Sequence, residues 1–418
     1  MSLVTNLTRM WLTRSVKPFI FKNEYNNRLP FEKCSNLGLY VHIPFCRSIC
    51  NFCPYCKVKY SGEKCNCYID ALIKEIRLVG RQSADKKEVT SLYFGGGTPA
   101  LAVSRIGEII HVIEEYFTIT GGIGLELHPD DVTVPVLETL KCAGVTKISI
   151  GIQSFSSKYQ DILGRKPIDI SAMEAALSKV HFETVSMDFI FALPGQDLED
   201  LKEDIDTAFA IGANHIAIYP FIDFTFTSSK VKTMGKRQKR RLMDEITNYC
   251  LGKGYARRSI WTFSSESDAG YSSMTRDNFL GFGCSATTLL KGQFKINTFS
   301  VEEYCRRIDS RQLPTSLTLH FSMRQRMVYW LFWTAYSTEV KAKDFKKFFG
   351  KSLTRMYGLE LKIAKLLGFI TEKQGVYRLT LKGAFYYHYY ENFYTLSYID
   401  KMWGIMRKEA FPPKMVLK

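Results

Sequence analysis

Short apolar runs alternate with helix-like segments from Leu37 to about Phe221, and this alternation restricts the possible folds more than any other feature of the sequence. Because the runs are apolar throughout rather than at every second residue, they are typical of parallel strands buried on both faces. We therefore predict an α/β fold, a partial (β/α)6 barrel whose chemistry lies at the carboxyl ends of the strands. The predicted strands are residues 37–43, 91–94, 124–127, 147–150, 185–192 and 215–221. The predicted helices are residues 68–79, 106–117, 134–143, 172–180 and 198–210.

Three cysteines, Cys46, Cys50 and Cys53, follow the first predicted strand with gaps of three and two residues. Three thiols on one short loop can bind three corners of a [4Fe–4S] cluster and leave the fourth iron without a protein ligand. A small molecule can then chelate that iron and receive an electron from the cluster. We expect the rest of the chain to supply a pocket for such a molecule.

Seven of the eleven cysteines lie between Cys34 and Cys67. Such clustering, in a long chain without a signal-peptide pattern, favours cluster or metal ligation in a reducing compartment over a secreted disulfide framework. Zinc is the main alternative, because structural zinc sites usually contain two C-x-x-C pairs. Cys53 and Cys56 form one such pair, but Cys65 lies too close to Cys67 for a good second pair. The spacing therefore favours the cluster over zinc.

The composition is that of an ordinary globular protein, with 46% hydrophobic and 23% charged residues. No apolar run approaches the roughly 20 residues that cross a bilayer, so we expect a cytoplasmic protein without membrane contact. The formal net charge is +16, which suits nucleic acid, an anionic substrate or a solvated surface. The densest basic run, residues 236–241, continues into an amphipathic helix, and a charged helix start explains it without any partner.

The 418 residues exceed what one core usually spans, so we predict several units along the chain. They are an N-terminal arm (1–36), the partial barrel (37–225), a barrel extension (226–320) and a C-terminal, mostly helical, winged-helix-like domain (321–418). The last assignment rests on helical segments before a hairpin that turns at Gln374 and Gly375, followed by a long aromatic helix. Without a clearly basic recognition helix, we do not expect this domain to bind nucleic acid.

The segment YFGGGTP (93–99) follows the second predicted strand. Three consecutive glycines allow a ligand to approach the backbone closely, because no Cβ intervenes. The segment lacks the spacing of a dinucleotide-binding fingerprint and the lysine of a phosphate loop. Alone it is weak evidence, but the cysteine loop at the end of the preceding strand makes the combination specific.

Together these motifs resemble the radical S-adenosylmethionine (SAM) superfamily, and within it the oxygen-independent coproporphyrinogen III oxidase-like group. The resemblance runs from about Leu37 to Leu290, with the motifs in the family's order. The motifs are YVHIPFC (40–46) with Cys50 and Cys53, GGGTP (95–99), GIQSF (151–155), DFIFALPG (188–195) and GFGCSA (281–286). The resemblance implies a partial barrel of the radical SAM type.

The resemblance also implies the cofactors. Cys46, Cys50 and Cys53 would hold the [4Fe–4S] cluster, SAM would chelate the open iron, and its reductive cleavage would yield a 5′-deoxyadenosyl radical that takes hydrogen from the substrate. The residues expected to contact this SAM are Tyr40, Gly96 and Glu126. The residues that match positions for a second SAM are Phe52, Gly97, Thr98, Gln153, Arg165 and Asp188.

The types of these residues suit the roles, although simpler explanations stay open. Glu126 and Asp188 can accept hydrogen bonds from ammonium or ribose groups, and Arg165 can pair with a carboxylate. Alternatively, Asp188 merely terminates a strand, Arg165 is solvated in a loop, and Phe52 and Tyr40 are core aromatics. No catalytic residue of the chain can be named from the sequence.

The chain departs from the family at three places. Coproporphyrinogen oxidases have a fourth cysteine two residues beyond the third, whereas Cys56 lies three beyond. Glu126 lies in Glu-Leu-His-Pro (126–129), whereas the oxidases have a different short Glu-x-x-Pro context. The heme-chaperone branch carries a His-Asn pair where this chain has GYSSMTR (270–276), without histidine, which argues against that branch.

We expect an oxidoreductase of coproporphyrinogen-dehydrogenase type, with radical attack on the propionate side chains of a tetrapyrrole and loss of carbon dioxide. The basic surplus suits such a polycarboxylate. A radical C-methyltransferase or cyclopropanase that uses two SAM molecules is the close alternative, and a heme-binding trafficking protein is the third. The expected partners are the small-molecule substrate and an electron donor such as flavodoxin or ferredoxin.

Overall fold

The computed structural model describes residues 3–229, 231–265 and 277–417. The first part of the chain contains α1 (Leu3–Thr13), β1 (Phe19–Lys22), β2 (Leu37–Ile43), β3 (Phe45–Cys46), β4 (Val58–Lys59), α2 (Gly62–Gly80), β5 (Lys87–Val89), β6 (Ser91–Gly96), α3 (Val103–Tyr116), β7 (Phe117–Ile119), β8 (Ile123–Leu127), α4 (Val134–Cys142), β9 (Lys147–Gln153), α5 (Ser157–Leu163), α6 (Ile170–Lys179), β10 (Thr184–Phe191), α7 (Leu198–Ala210) and β11 (His215–Pro220). The middle part contains α8 (Lys236–Gly252), β12 (Ala256–Arg257), β13 (Thr262–Ser264), β14 (Asn278–Phe282), β15 (Thr287–Leu290), β16 (Gln293–Asn297), α9 (Val301–Asp309) and β17 (Thr315–His320). The last part contains α10 (Met323–Ala335), β18 (Glu339–Lys341), α11 (Ala342–Phe349), α12 (Leu353–Leu366), β19 (Ile370–Lys373), β20 (Val376–Leu379), α13 (Leu381–Tyr394), α14 (Asp400–Met406) and β21 (Lys414–Leu417). Short 3-10 turns cover Pro99–Ala102 and Pro129–Asp131, and a π-helical segment covers Thr395–Ile399.

The six predicted strands form one parallel wall. They lie side by side in the order β2, β6, β8, β9, β10 and β11, and each pairs in parallel with the next. Sequential parallel strands joined by helices are the wall of a (β/α) barrel, so the predicted α/β fold is confirmed. The elements that were not predicted include helix α5 and strand β14, which adds a further parallel strand beside β2. Beyond β14 the sheet continues antiparallel through β15, β16, β17, β1 and β21.

The helices that cover the parallel strands pack on them through one apolar face each. In α3, Ile106, Ile109, Ile110 and Ile113 are all buried, and their i, i+3, i+4, i+7 spacing places them on one side of the helix. The strands beneath them are buried on both faces, as in β2, where only Tyr40 is partly exposed. This two-sided burial explains why the strands read as continuous apolar runs.

The C-terminal part has the element order of a winged helix. Helices α10, α11 and α12 alternate with a three-stranded antiparallel sheet in the order β18, β20, β19. The predicted hairpin turns at Gln374 and Gly375, whose φ angles of 53° and 75° are those of a two-residue hairpin turn. A separate small core surrounds Trp330 and Phe345. The predicted helical C-terminal part is therefore confirmed.

The domain limits stay a prediction. The N-terminal arm supplies β1, which pairs with the last strand, β21, so that Phe19 lies opposite Leu417.

The basic run, residues 236–241, begins α8 and packs against α13, with Lys236 Nζ 3.6 Å from the centroid of the Tyr389 ring. Such a cation–π contact gives this charge a role within the fold. Among the described helices, none is both long and apolar enough to cross a membrane.

A buried carboxyl group links α2 to the loop after β14. The Glu75 side chain accepts hydrogen bonds from the Gly283 N–H at 2.7 Å and from the Tyr304 hydroxyl at 2.6 Å. Burial raises the pKa of Glu75 from 4.5 to about 7, although these hydrogen bonds act in the opposite direction. Between these two pH values the folded protein binds a proton that the unfolded chain releases. The contribution of Glu75 to stability is therefore full below about pH 4.5 and is lost as the pH rises through about 7.

The substitution Glu75→Gln is expected to remove this pH dependence, because the amide cannot ionise while its carbonyl can still accept the Gly283 N–H. Relative to the variant, the wild-type protein should lose up to about 3 kcal/mol of unfolding free energy across this window, at about 1.4 kcal/mol per pKa unit. Chemical unfolding at about pH 5 and about pH 8 measures the difference. Exposed Glu114→Gln is the control, and the same pH dependence in wild type and Glu75→Gln would contradict the assignment.

Candidate active site

The three predicted ligand cysteines lie on one loop that leaves the carboxyl end of β2. A short parallel pairing of β3 with β4 closes this loop. The Val58 N–H donates to the Pro44 carbonyl at 2.7 Å, and the Tyr60 N–H donates to the Cys46 carbonyl at 2.9 Å. The loop therefore presents its thiols at the edge of the sheet where the chemistry was predicted.

The environment of the thiols fits a cluster. The Thr98 hydroxyl donates to Cys46 Sγ at 4.0 Å. Burial, followed by the neighbouring charges of Cys53 and Cys50, raises the pKa of the Cys46 thiol to about 11. Ionised Cys50 and Cys53 thus disfavour ionisation of the Cys46 thiol, so three thiolates together are unfavourable here without a cation. A cationic metal group relieves that repulsion, so the donor set suits three corners of a [4Fe–4S] cluster.

The glycine turn at the end of β6 packs directly against the cysteine loop. The Gly97 N–H donates to the Ile43 carbonyl at 2.9 Å, and the Thr98 N–H donates to the Phe45 carbonyl at 2.7 Å. A Cβ on Gly97 would lie 2.5 Å from the Phe45 carbonyl oxygen, and Gly96 has a φ of 119°. No larger residue fits this approach of two backbones. The turn therefore forms a cradle beside the thiols.

Glu126, in β8, faces this cradle. Its Oε2 accepts the Gly96 N–H at 3.0 Å, and its Oε1 accepts the Tyr93 hydroxyl at 3.2 Å. Burial raises the pKa of Glu126 to about 7, and the charge of Asp188 adds to the increase. A cationic ligand beside this carboxyl would favour its ionised form.

Asp188, in β10, anchors a hydrogen-bonded row across three strands. Its carboxylate accepts the Ser149 hydroxyl at 2.9 Å and the Ser186 hydroxyl at 3.3 Å. Ser186 Oγ lies 2.9 Å from His215 Nδ1. Burial raises the pKa of Asp188 to about 6 despite the two hydroxyl donors. Asp188 therefore does not terminate a strand: it lies within β10, and its side chain binds hydroxyl groups of β9 and of β10 itself.

Gln153 and Arg165 meet at the carboxyl end of β9. Gln153 has a φ of 74°, a left-handed conformation that is rare outside glycine. Arg165 donates through Nη1 to the Gly151 carbonyl, and its guanidinium carbon lies 5.7 Å from the centroid of the Phe52 ring. Its Nε is buried and has no hydrogen-bond partner in the described part of the chain. Arg165 is half-buried and thus retains one buried donor for a ligand.

These side chains line one cavity of about 860 Å³, a volume typical of ligand sites. Eleven of the twelve predicted residues line it, namely Cys46, Cys50, Phe52, Cys53, Gly96, Gly97, Thr98, Glu126, Gln153, Arg165 and Asp188. Tyr40 is the exception, because its hydroxyl lies 3.0 Å from His42 Nδ1 and its ring stacks on Tyr93. The structure brings the predicted residues together, while their individual roles stay predictions.

Much of the opposite wall was missed by the sequence reasoning. It consists of aromatic side chains from the C-terminal helices and of polar side chains from barrel strands β9, β10 and β11, from the loop after β12 and from helix α13. They are Tyr329, Trp333, Tyr336, Tyr394 and Trp403, with Ser149, Ser186, His215, Arg258 and Glu391. The aromatic helix was visible in the sequence, but its rings surround the helix and no single face indicates a ligand.

The C-terminal segment also touches the cysteine loop. Arg407 donates through Nη2 to the Pro54 carbonyl, and its guanidinium carbon lies 4.7 Å from the centroid of the Phe226 ring. Tyr55, next along the loop, packs on Trp403 with ring centroids 5.9 Å apart. Burial lowers the pKa of Arg407. A partly desolvated positive charge is therefore held against the loop that carries the thiols.

Comparison with known proteins agrees with this geometry. Residues 40–208 match the family model of the radical SAM superfamily, so the chain carries a radical SAM domain. Its relatives include the heme chaperone HemW of Bacillus subtilis, 25% identical over 362 residues that cover 82% of this chain and 95% of the relative. The oxygen-independent coproporphyrinogen III oxidase of Pseudomonas aeruginosa is 23% identical, with 70% of each chain covered. The anaerobilin synthase of Escherichia coli O157:H7 is 28% identical, with 68% of each covered.

A solved structure shows the same fold. The coproporphyrinogen III oxidase HemN of Escherichia coli superimposes with a TM-score of 0.75 at 19% identity, covering 91% of this chain and 97% of that one. The resemblance to the oxidase-like group is confirmed, and its members carry more than one activity. The segment 270–276, which argued against the heme-chaperone branch, lies outside the described residues.

With a cluster on the three cysteines, Arg407→Gln is expected to make its midpoint potential more negative, on the order of tens of millivolts, because a nearby cation favours the added electron. A redox titration followed by electron paramagnetic resonance measures the shift. Arg407→Lys keeps the charge and should keep most of the potential. A potential that is unchanged in Arg407→Gln would show that the guanidinium only supports the Pro54 carbonyl.

Proposed function

We propose that the protein is a radical SAM enzyme that acts on a tetrapyrrole-type substrate and removes carbon dioxide from propionate side chains by an oxidase-like reaction. In this reaction the radical derived from SAM takes one hydrogen atom, and a separate electron acceptor takes the remaining electron. The observation that carries this proposal is one cavity that is lined by the cysteine loop, by the carboxyl groups of Glu126 and Asp188 and by aromatic side chains of the C-terminal helices. The relatives support the substrate class, since two of them are named for coproporphyrinogen and for heme.

The cavity suits a large, partly aromatic molecule with several carboxylates. Rings of Trp333, Tyr336 and Tyr394 offer extended apolar surface for a macrocycle. Arg258 and Lys57 also line the cavity and can pair with carboxylates. This combination matches a polycarboxylate better than a small amino acid or a nucleotide.

In this proposal Cys46, Cys50 and Cys53 hold the cluster, and Glu126 and Gly96 lie where the cluster-bound SAM would be oriented. Together these cofactors would supply the 5′-deoxyadenosyl radical. The chain's own contribution is to fix the reacting partners in a cavity shielded by the C-terminal helices. Tyr40 would act indirectly rather than by touching SAM. Its hydroxyl contacts His42 Nδ1, and its ring stacks on Tyr93, which lines the cavity.

A second SAM molecule is part of the proposal. Its candidate residues, which include Phe52, Gln153 and Arg165, adjoin one another, and the buried Nε of Arg165 offers a donor for a carboxylate. We also propose that a one-electron carrier such as flavodoxin or ferredoxin reduces the cluster in the cytoplasm. All eleven cysteines are in the described part of the chain and are free thiols, as a reducing compartment requires.

Two other functions are supported by particular observations. A radical C-methyltransferase or cyclopropanase would use the same second-SAM residues, with that SAM donating carbon. A heme-binding trafficking protein is favoured by the HemW relative, whose match covers 95% of its length. The three functions differ in their products, so a single experiment separates them.

The reconstituted protein, incubated without oxygen with SAM, dithionite and coproporphyrinogen, is expected to form 5′-deoxyadenosine and carbon dioxide in a substrate-dependent way. Chromatography with mass spectrometry measures both. Release of S-adenosylhomocysteine in step with product would overturn decarboxylation in favour of methyl transfer. A stable one-to-one heme complex without substrate-dependent 5′-deoxyadenosine would favour the trafficking function.

The cluster ligands are tested separately. Cys50→Ala is expected to reduce the iron content from about four atoms per chain to near background, because two thiols alone do not hold the cube. Elemental analysis after anaerobic reconstitution measures the loss. Exposed Cys67→Ala, on α2, is the matched control and should keep its iron. Full iron loading of Cys50→Ala would refute the ligand assignment.

A further inference from the structure

A second group of metal-binding side chains lies behind the cysteine loop. His42 in β2, Cys56 at the end of the loop and Cys284 after β14 offer three donor atoms that all lie within 4.8 Å of one another. All three residues are buried, with at most 6% of their surface exposed. None of them lines the cavity or belongs to the cluster ligands described above.

The fold brings these residues together by specific contacts. The Tyr68 hydroxyl donates to the His42 carbonyl at 2.7 Å and accepts the Cys284 N–H at 2.9 Å, so it joins the two strand ends. Gly283 has a φ of 98°, and a Cβ there would lie 2.4 Å from the Tyr68 hydroxyl. Only glycine permits this close approach. The convergence of three distant segments is therefore built into the backbone.

The orientation of the imidazole suits a metal ligand. His42 Nδ1 lies 3.0 Å from the Tyr40 hydroxyl, whereas Nε2 faces the Cys56 carbonyl at 3.0 Å and the Ser285 hydroxyl at 3.3 Å. Without a metal, Nε2–H donates to the Cys56 carbonyl; when a cation binds Nε2, the ring proton is carried by Nδ1, where the Tyr40 hydroxyl oxygen can accept it. Metal-bound histidines usually donate their other N–H to such a partner.

We propose that His42, Cys56 and Cys284 form a second metal site for a thiophilic d10 cation of the zinc type, with the Ser285 hydroxyl or a water as the fourth ligand. Two thiolates and one imidazole are donors that such cations prefer. Binding displaces one proton from each thiol to solvent, so the complex with a divalent cation is neutral and suits a buried position. Tetrahedral zinc sets such donor atoms about 3.5–3.8 Å apart, so a contraction of about 1 Å completes the site.

The site would brace the cluster loop rather than take part in the reaction. Cys56 lies three residues beyond Cys53, and the cation would tie this end of the loop to the GFGCSA segment. Without a cation, the Cys56 thiol donates to the Phe299 carbonyl at 3.2 Å, so the thiols can also be accommodated as neutral groups. The experiment must therefore distinguish a bound cation from a merely packed pair of thiols and from a disulfide.

The test uses the anaerobically reconstituted holoprotein, expressed with added zinc. A chelator takes up loosely bound metal and is itself removed before elemental analysis. The expected result is about one zinc per chain in addition to the iron of the cluster. Cys284→Ser is expected to lose the zinc and keep the iron, whereas exposed Cys67→Ser should keep both. Absence of zinc from the wild type, or unchanged zinc in Cys284→Ser, overturns the proposal.

Zinc-edge X-ray absorption of the wild-type holoprotein gives a readout that does not depend on the folding of a variant. Two sulfur neighbours with nitrogen or oxygen neighbours are expected. Three or more sulfur neighbours would place zinc on the cluster cysteines and overturn the proposal. Peptide mapping without reductant that finds Cys56 joined to Cys284 would also overturn it, because a disulfide leaves no thiolate ligands.

Discussion

The parallel register of β2 with β6 is the constraint on which the site depends. His42 lies opposite Gly95 and Ile43 opposite Gly96, so both strands end at the same level. The cysteine loop and the glycine turn begin there and bond to each other through main-chain atoms, including the Gly97 N–H. A slip of one residue would turn the side chains of β2 to the opposite face and part the thiols from the cradle. The site is thus a consequence of one strand pairing.

A second property of the site is that several of its buried acidic groups are harder to ionise than in water. The Cys46 thiol, Glu126 and Asp188 all have raised pKa values, and burial is the first cause in each case. Buried acids of this kind are costly when ionised without a partner. A metal cluster and a sulfonium ligand are both cationic partners, and each would convert this cost into binding. The electrostatics therefore agree with the cofactors that the radical SAM domain implies.

The sequence predicted the parts of the fold that have a simple period and missed those that do not. The six parallel strands were found because two-sided burial leaves continuous apolar runs. Strand β14 was missed because its five residues include Asn278 and Gly281, which break the apolar run. Glycine is needed at position 281 because a Cβ there would lie 2.2 Å from the Thr287 carbonyl oxygen. The aromatic wall was missed because its rings come from three helices, and α10 and α13, which carry Trp333 and Tyr394, have aromatic residues on several sides and no distinct apolar face. Motif residues were located well, since each follows a strand, but contacts between distant segments, such as Arg407 with Pro54, have no local signal.

The way in which the cysteine loop is held suggests why its sequence departs from the oxidases. From Arg47 to Lys57 the backbone forms neither helix nor strand, so the thiols can converge on a cluster without breaking regular hydrogen bonds. The two ends are nevertheless fixed, at Cys46 by the pairing of β3 with β4 and at Cys56 by contacts to His42 and Phe299. The extra residue before Cys56 lets Tyr55 reach Trp403 while Cys56 turns inward. Fixed ends around an adaptable centre are what a preorganised metal loop requires.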